Sequence, residues 1–303
     1  MKKFYSFFVC LIAVLSVQAQ SQIEMAVAIP RQTTDFSHDT WNVIRNKLVD
    51  NMTNNGISSF IYSGIIVYPE IIVLNKQVVE GGMHNITILN IQLNLKTEHV
   101  ITGTIFNSLT FELQGEGANL DKAVTQAINK LRSTDNQLND FMIQSKNRIL
   151  QYYQDNTNMI IQKAFSLAST NQYEAALALL SSYPASVSGC ELVSKALTEV
   201  YGQYQNSMCS QKLQQARLAY SLGNYEEAVS WLQQVDIQSS CAAEARALCQ
   251  RIKSSRDAEA ARELAILERA YQSETELEKQ RIKAVRDIAV AYFKSTPQFY
   301  YIF

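Results

Sequence analysis

Chemistry in this chain would have to come from three histidines, five cysteines, a few adjacent carboxylates and one Gly-x-Gly. An imidazole acts as metal ligand or general base when another His, a Cys or a carboxylate stands at working distance. His38, His84 and His99 have no such neighbour at metal-ligand spacing. His84 follows Gly81-Gly82-Met83 and His99 follows Lys96-Thr97-Glu98, so both read as surface residues in turns. There is no Gly-x-Ser-x-Gly elbow and no Ser-x-x-Lys, which removes two common nucleophile settings. Glu226-Glu227 sits on a helix face where solvation accounts for it. Gly115-Glu116-Gly117, followed by Asn119 at a helix start, has the outline of a phosphate cradle. It lacks the third glycine of a dinucleotide fingerprint and the lysine of a phosphate loop, and reads as a flexible corner. No catalytic, cofactor-binding or metal site is expected, and the chain reads as non-enzymatic.

The cysteines take their meaning from the N-terminus. Lys2 and Lys3 precede an apolar run from Phe4 to Leu15, and Val17-Gln18-Ala19 offers small residues to a signal peptidase. Residues 1–19 therefore read as a signal peptide, and the run is too short to span a bilayer. Cys10 lies inside the apolar run without the small residues that precede a lipidated cysteine, so the exported protein is expected to be soluble, periplasmic or secreted, and not a lipoprotein. Cleavage leaves Cys190, Cys209, Cys241 and Cys249, an even number with no Cys-x-x-Cys, which favours disulfides over zinc or thiol catalysis. A formal charge of -1 argues against a nucleic-acid partner.

The elements divide the chain in two. Residues 20–133 read as an α+β domain, a small mostly antiparallel sheet with two helices. Glu24 to Ile29 is an apolar run ending at Pro30. Trp41, Ile44, Leu48 and Met52 then predict a helix over 40–55, capped by Ser37 or Asp39 and closed by Gly56. Gly64 to Val79 carries Ile and Val on both alternations and predicts a strand covered on both sides, with Pro69 marking an edge or bulge. Leu89, Ile91, Leu93 and Leu95 alternate with Asn90, Gln92, Asn94 and Lys96, and Leu109, Phe111 and Leu113 alternate likewise. Turns are expected at Gly81-Gly82 and near Thr102-Gly103.

Met25-Ala26-Val27-Ala28-Ile29-Pro30, Val78-Val79-Glu80-Gly81-Gly82 and Leu113-Gln114-Gly115-Glu116-Gly117 through Lys122-Ala123 give this half a resemblance, over about 22–132, to small domains of periplasmic envelope lipoproteins. These are the lipoprotein activators of penicillin-binding proteins and the curli-secretion lipoproteins. Both carry a lipidated N-terminal cysteine that this chain lacks. What the resemblance implies is an envelope-assembly context.

Helical periodicity runs through the rest. Leu138, Met142, Ile149, Tyr153, Ile160, Ala164 and Leu167 form one apolar face, as one helix or two stacked around Asp155-Asn156-Thr157-Asn158. Residues 134–156 are the connector, and 157–253 hold two blocks, Asn171-Gln172-Tyr173-Glu174-Ala175-Ala176 and Gly223-Asn224-Tyr225-Glu226-Glu227-Ala228. They resemble tetratricopeptide (TPR) hairpins, with Ala164, Tyr173, Ala176 and Leu180 in one unit and Ala216, Tyr225, Ala228 and Leu232 in the next. Tyr173 and Tyr225 are 52 apart, against about 34 for adjacent TPRs. A further helix over 186–206 is expected to fill the excess. The resemblance implies an all-α TPR-like domain that holds an extended peptide, with Phe165, Arg217 and Tyr220 facing its groove. Alternate helices in such a stack run parallel and adjacent, which implies Cys209–Cys241 among the three pairings four cysteines permit.

Residues 254–303 read as a long charged helix and an aromatic tail, Phe299-Tyr300-Tyr301-Ile302-Phe303, that packs back on the protein or adds a strand to a partner sheet. The expected function is an exported, non-enzymatic adaptor or scaffold that binds envelope proteins. The alternative is a structural homo-oligomer built through the C-terminal helix or tail.

Overall fold

In the computed structural model, the described residues are 23–30, 36–81, 84–236, 239–254, 274–295 and 299–301. The segment read as a signal peptide, the expected turn at Gly82 and part of the charged C-terminal stretch lie outside them. The described residues form two compact units. One takes in the chain up to Ile160, Ser182–Glu191 and the end from Val290; the other takes in Ile161–Ser181 and Leu192–Ala289.

The first unit is built on a mixed sheet. Its strands are β1 (Glu24–Pro30), β2 (Ser58–Ser59), β3 (Ile65–Gly81), β4 (His84–His99), β5 (Thr104–Gly117) and β6 (Phe299–Tyr301). The order is β2-β1-β3-β4-β5, with β6 also on β1. β1 runs parallel to β2 and β3, while β3, β4 and β5 form an antiparallel meander. The aromatic tail adds its strand to the chain's own sheet, antiparallel to Ala28, Ile29 and Pro30.

Alternation in β4 decides which face is covered. Leu89, Ile91, Leu93, Leu95, Thr97 and His99 are all buried on one face. Asn94 on the other face accepts hydrogen bonds from Gln92 and Thr110. Helix α1 (His38–Asn54) is capped by Ser37, whose side chain accepts from the Thr40 N–H, and ends where Gly56 takes φ +66. Helix α2 (Leu120–Lys130) is capped by Asn119 and buries Ala123, Val124, Ala127 and Ile128. Helix α3 (Asn136–Ser169) places Ser145 against Thr97 and Asn107 of the covered face. It kinks at Asn156 (φ -113, ψ 15), where Asn156 and Thr157 side chains donate to the carbonyls of Tyr152 and Tyr153.

Two expectations for this unit are corrected. β3 is buried at Ile65, Ile66 and Val67, but Ile72, Val73, Leu74, Val78 and Val79 are exposed. Burial on β3 ends at Ile71, beyond its last pairing with β1 at Val67, so from Ile72 on the strand runs past the covered part of the sheet, with one edge open. A bulge between Val73 and Asn75 interrupts its pairing with β4. Gly115 and Gly117, in turn, are strand residues of β5 and not a flexible corner. A Cβ on Gly115 would collide with the Ala123 carbonyl, and one on Gly117 would lie 2.6 Å from the Ala123 nitrogen. Their missing side chains let α2 lie directly on the strand.

The second unit is helical. After α3 come α4 (Tyr173–Ser181), α5 (Cys190–Ser221), α6 (Tyr225–Gln233), α7 (Ala242–Lys253) and α8 (Glu274–Ser295). The expected separate helix over 186–206 is instead the first part of α5, which continues through Cys209 without a break. No proline interrupts it, and Val193, Ala196, Val200, Cys209, Leu213 and Ala216 keep one buried stripe along it.

Candidate binding surface

The turns before α4 and α6 share one hydrogen-bond pattern. At the first, Asn171 N–H donates to the Ala168 carbonyl, Gln172 N–H to Leu167, and Ala176 N–H to Gln172. At the second, Gly223 N–H donates to Tyr220, Asn224 N–H to Ala219, and Ala228 N–H to Asn224. Each bond recurs 52 residues on. The first two are the pair that closes a helix with a left-handed residue, and Asn171 (φ 60) and Gly223 (φ 78) take that conformation. α4 and α6 both have 9 residues and begin with Tyr-Glu. Ala164, Ala176, Ala216 and Ala228 are fully buried, as are Leu180 and Leu232.

On this framework Phe165 is half-buried on α3 and Tyr220 is half-buried near the end of α5. The Tyr220 ring packs at 5.7 Å on Tyr225 and borders the core formed by Leu213, Ala216, Val229 and Leu248. Arg217 is exposed one turn earlier and forms an ion pair with Glu244 of α7. Cys209 and Cys241, with Cα atoms 6.0 Å apart, are joined as a disulfide, while Cys190 and Cys249 are thiols. The Cys209 sulfur also accepts from the Cys241 N–H.

Periodicity carried no sign of a polar cluster lower in the same unit. Arg281 of α8 grips Asp236 with two bonds, Nε to Oδ2 at 2.9 Å and Nη2 to Oδ1 at 2.8 Å, and both side chains are largely buried. Burial, and then the Asp236 charge, push the nearby Tyr201 phenol up to about 12. Burial lowers Lys212, whose ammonium donates to the Gln234 carbonyl. The one sequence cue is that Asp236 and Arg281 each stand beside an apolar stripe, a signal too common to mark a pair.

The sheet unit holds a strongly displaced titrating group. His99 is fully buried, not a surface turn residue. Its Nδ1 accepts from the Thr102 N–H at 3.3 Å, leaving Nε2–H to face Ser182 Oγ at 3.4 Å. Burial lowers its pKa from 6.5 to about 4. The ring lies 6.0 Å from Tyr153, which stacks edge-on against Tyr183 at 5.1 Å. Tyr153 is fully buried, its hydroxyl makes no hydrogen bond of normal geometry, and burial raises its pKa while Ser182 opposes the rise. Tyr183 hydroxyl donates to the Ser188 carbonyl at 2.7 Å. A neutral imidazole beside protonated phenols is not a base tuned to neutral pH. His38 is exposed at the start of α1, and the His84 side chain lies outside the described residues.

Among the described residues no three His, Cys, Asp or Glu side chains come together as a metal site. A cleft of about 70 Å³ between Val27, Arg45, Val49, Ser59, Phe60 and Ile61 has room for water-sized occupants. No described helix is long and apolar enough to cross a membrane.

No protein-family model matches the chain, and no curated protein does. Among solved structures it is similar to a crystal structure of a minor lipoprotein from Acinetobacter baumannii. That similarity has 14% identity and a TM-score of 0.26, and covers 42% of this chain and 94% of that one.

Proposed function

We propose that this chain is an exported, non-enzymatic adaptor that holds envelope proteins on TPR-like helical hairpins. The observation that carries the reading is the recurrence of three backbone hydrogen bonds of one helix-turn-helix geometry 52 residues apart. Buried alanines near each turn fit helices that cross closely, as TPR hairpins do. Phe165, Arg217 and Tyr220 are then the groove residues, each retaining exposed surface. Export is supported by Lys2, Lys3, the apolar run and Ala19, and by the Cys209–Cys241 bond, which persists in oxidising compartments. The envelope-assembly context comes from the resemblance of the sheet half to periplasmic envelope domains.

The test is a crosslinking capture from the native envelope with the chain and with Arg217→Glu and Tyr220→Ala. The Arg217–Glu244 pair is exposed, so its loss costs under about 1 kcal/mol of stability and a lost partner reports recognition. A defined set of envelope proteins, depleted by either substitution, is the expected result. Capture indifferent to both substitutions overturns the groove. The rival reading, a homo-oligomer joined through the tail, is less well supported because β6 pairs with β1 of its own chain.

A further inference from the structure

The sheet manages its edges unequally. β1 is covered by β2 and β6. Backbone groups of β5 are taken by helix side chains: Phe106 O accepts from Arg148, Gln114 O from Lys130, and Glu116 N–H donates to Gln126. β3 beyond Val67 pairs with β4 alone among the described strands. That edge is apolar and open, with Val78 at 56% and Val79 at 46% exposure. An edge of this kind is a template for an added strand.

Its charges say which strand. Past the bulge, pairing with β4 is regular from Asn75 to Gly81. Lys76, Val78 and Glu80 stand opposite Leu89, Thr87 and Asn85, so all three are on one face. Lys76 and Glu80 are exposed and pair with no other charge among the described residues. Four residues apart on one strand they are separated by about 13 Å, too far to meet each other. Across an antiparallel ladder, directly opposed side chains are about 5 Å apart. A two-fold axis at Val78 would put Lys76 opposite Glu80 of a second copy, and Glu80 opposite its Lys76. Val78 then meets its own counterpart, and Gln77 meets Val79 twice on the other face. A lysine on an edge normally repels an added strand because it finds no counter-charge there. Here the same strand carries the counter-charge at the two-fold spacing.

We infer that the Asn75–Gly81 segment of β3 is a self-complementary interface through which two copies join their sheets antiparallel about Val78. The ladder is short, so the dimer is concentration-dependent, forming at the micromolar-to-millimolar end. This goes beyond the adaptor reading and uses a different unit of the chain.

Sedimentation of the full chain from about 1 µM to about 1 mM tests it. A monomer–dimer equilibrium is expected. Lys76→Glu creates two like-charge contacts per dimer, as does Glu80→Lys, and each should raise the dissociation constant about tenfold or more. The double substitution Lys76→Glu with Glu80→Lys restores opposite charges and should return it to within about threefold of the parent. Circular dichroism melts that coincide across the four proteins show that folding is unchanged. A monomer throughout the range, a dimer indifferent to either reversal, or a double variant as weak as the singles overturns the interface. Dimerisation lost on deleting residues 296–303 but unmoved by the charge reversals would also overturn it, assigning association to the tail.

Discussion

His99 carries no charge at neutral pH, and this has a consequence for stability. Its folded pKa is lowered by burial to about 4, against an ordinary 6.5. Above about pH 6.5 neither state is protonated and the group contributes nothing to pH dependence. As pH falls toward 4 the unfolded chain takes up a proton that the folded chain refuses, so stability drops. The full loss, reached below the folded pKa, is of the order of 3 kcal/mol. Urea unfolding from about pH 7.5 to about pH 4.5 should show this slope beyond that of a His99→Gln variant. Equal slopes in the two proteins would mean that His99 is accessible to protons in the folded state. The burial was legible in parity: His99 shares the alternation of Leu89, Ile91, Leu93 and Leu95. The neighbouring Thr102-Gly103 turn hid it, because turn residues are expected at the surface. Its partner Ser182 is 83 residues away and no local pattern points to it. Gly115 was hidden for a similar reason. Gly115→Ala should cost about 3 kcal/mol or more in chemical denaturation, because the clash is with backbone of α2 and cannot be relieved by a rotamer.

At the scale of elements, the two left-handed turn residues make a matched experiment. Gly223 (φ 78) has open space around its would-be Cβ, so Gly223→Ala is penalised by backbone strain alone, about 1 kcal/mol. Asn171 (φ 60) already bears that strain, and Asn171→Gly should be neutral or stabilising by a few tenths of a kcal/mol. Thermal or urea unfolding reads both, and a costless Gly223→Ala would show that the turn is not held left-handed. The disulfide closes a sequence separation of 32 residues between α5 and the start of α7. Reduction, or Cys209→Ala with Cys241→Ala, should remove roughly 3–4 kcal/mol in the chain-entropy model. A melting temperature indifferent to reductant would contradict that. The hairpin turns were readable because Gly, Asn and a following Tyr-Glu mark a helix stop and restart locally. The length of α5 was not, because a heptad-scale stripe has no punctuation at Cys209 to say whether a helix stops there.

For the whole molecule, the tail has a role that only the assembled sheet defines. β6 covers Ala28, Ile29 and Pro30 of β1. Deleting residues 296–303 should leave the Ala28–Pro30 stretch of β1 unpaired on that side and raise exchange at the one amide of that stretch that faces β6 by roughly tenfold or more. Unchanged exchange there would mean that β6 contributes nothing to β1. By itself the sequence determined what depends on spacing along the chain: the alternating strands β4 and β5, the cap Asn119, Ser37 or Asp39 as the other cap, a helical stretch whose weak point lies at Asp155–Asn158, and the two recurring turns. Each of these rests on residues within a few positions of one another. Tertiary structure decided what depends on distant segments meeting. It set where β1 stops accompanying β3 and where the cover over β3 ends, and so which apolar residues of β3 are exposed. It brought Ser182 to His99 and Arg281 to Asp236, and it gave the tail to β1. The residues that looked fit for chemistry at the outset divided the same way. Gly115 and Gly117 became the seat of α2, and His99 became a neutral core residue, because burial is a property of the partner that covers a residue and spacing does not name that partner.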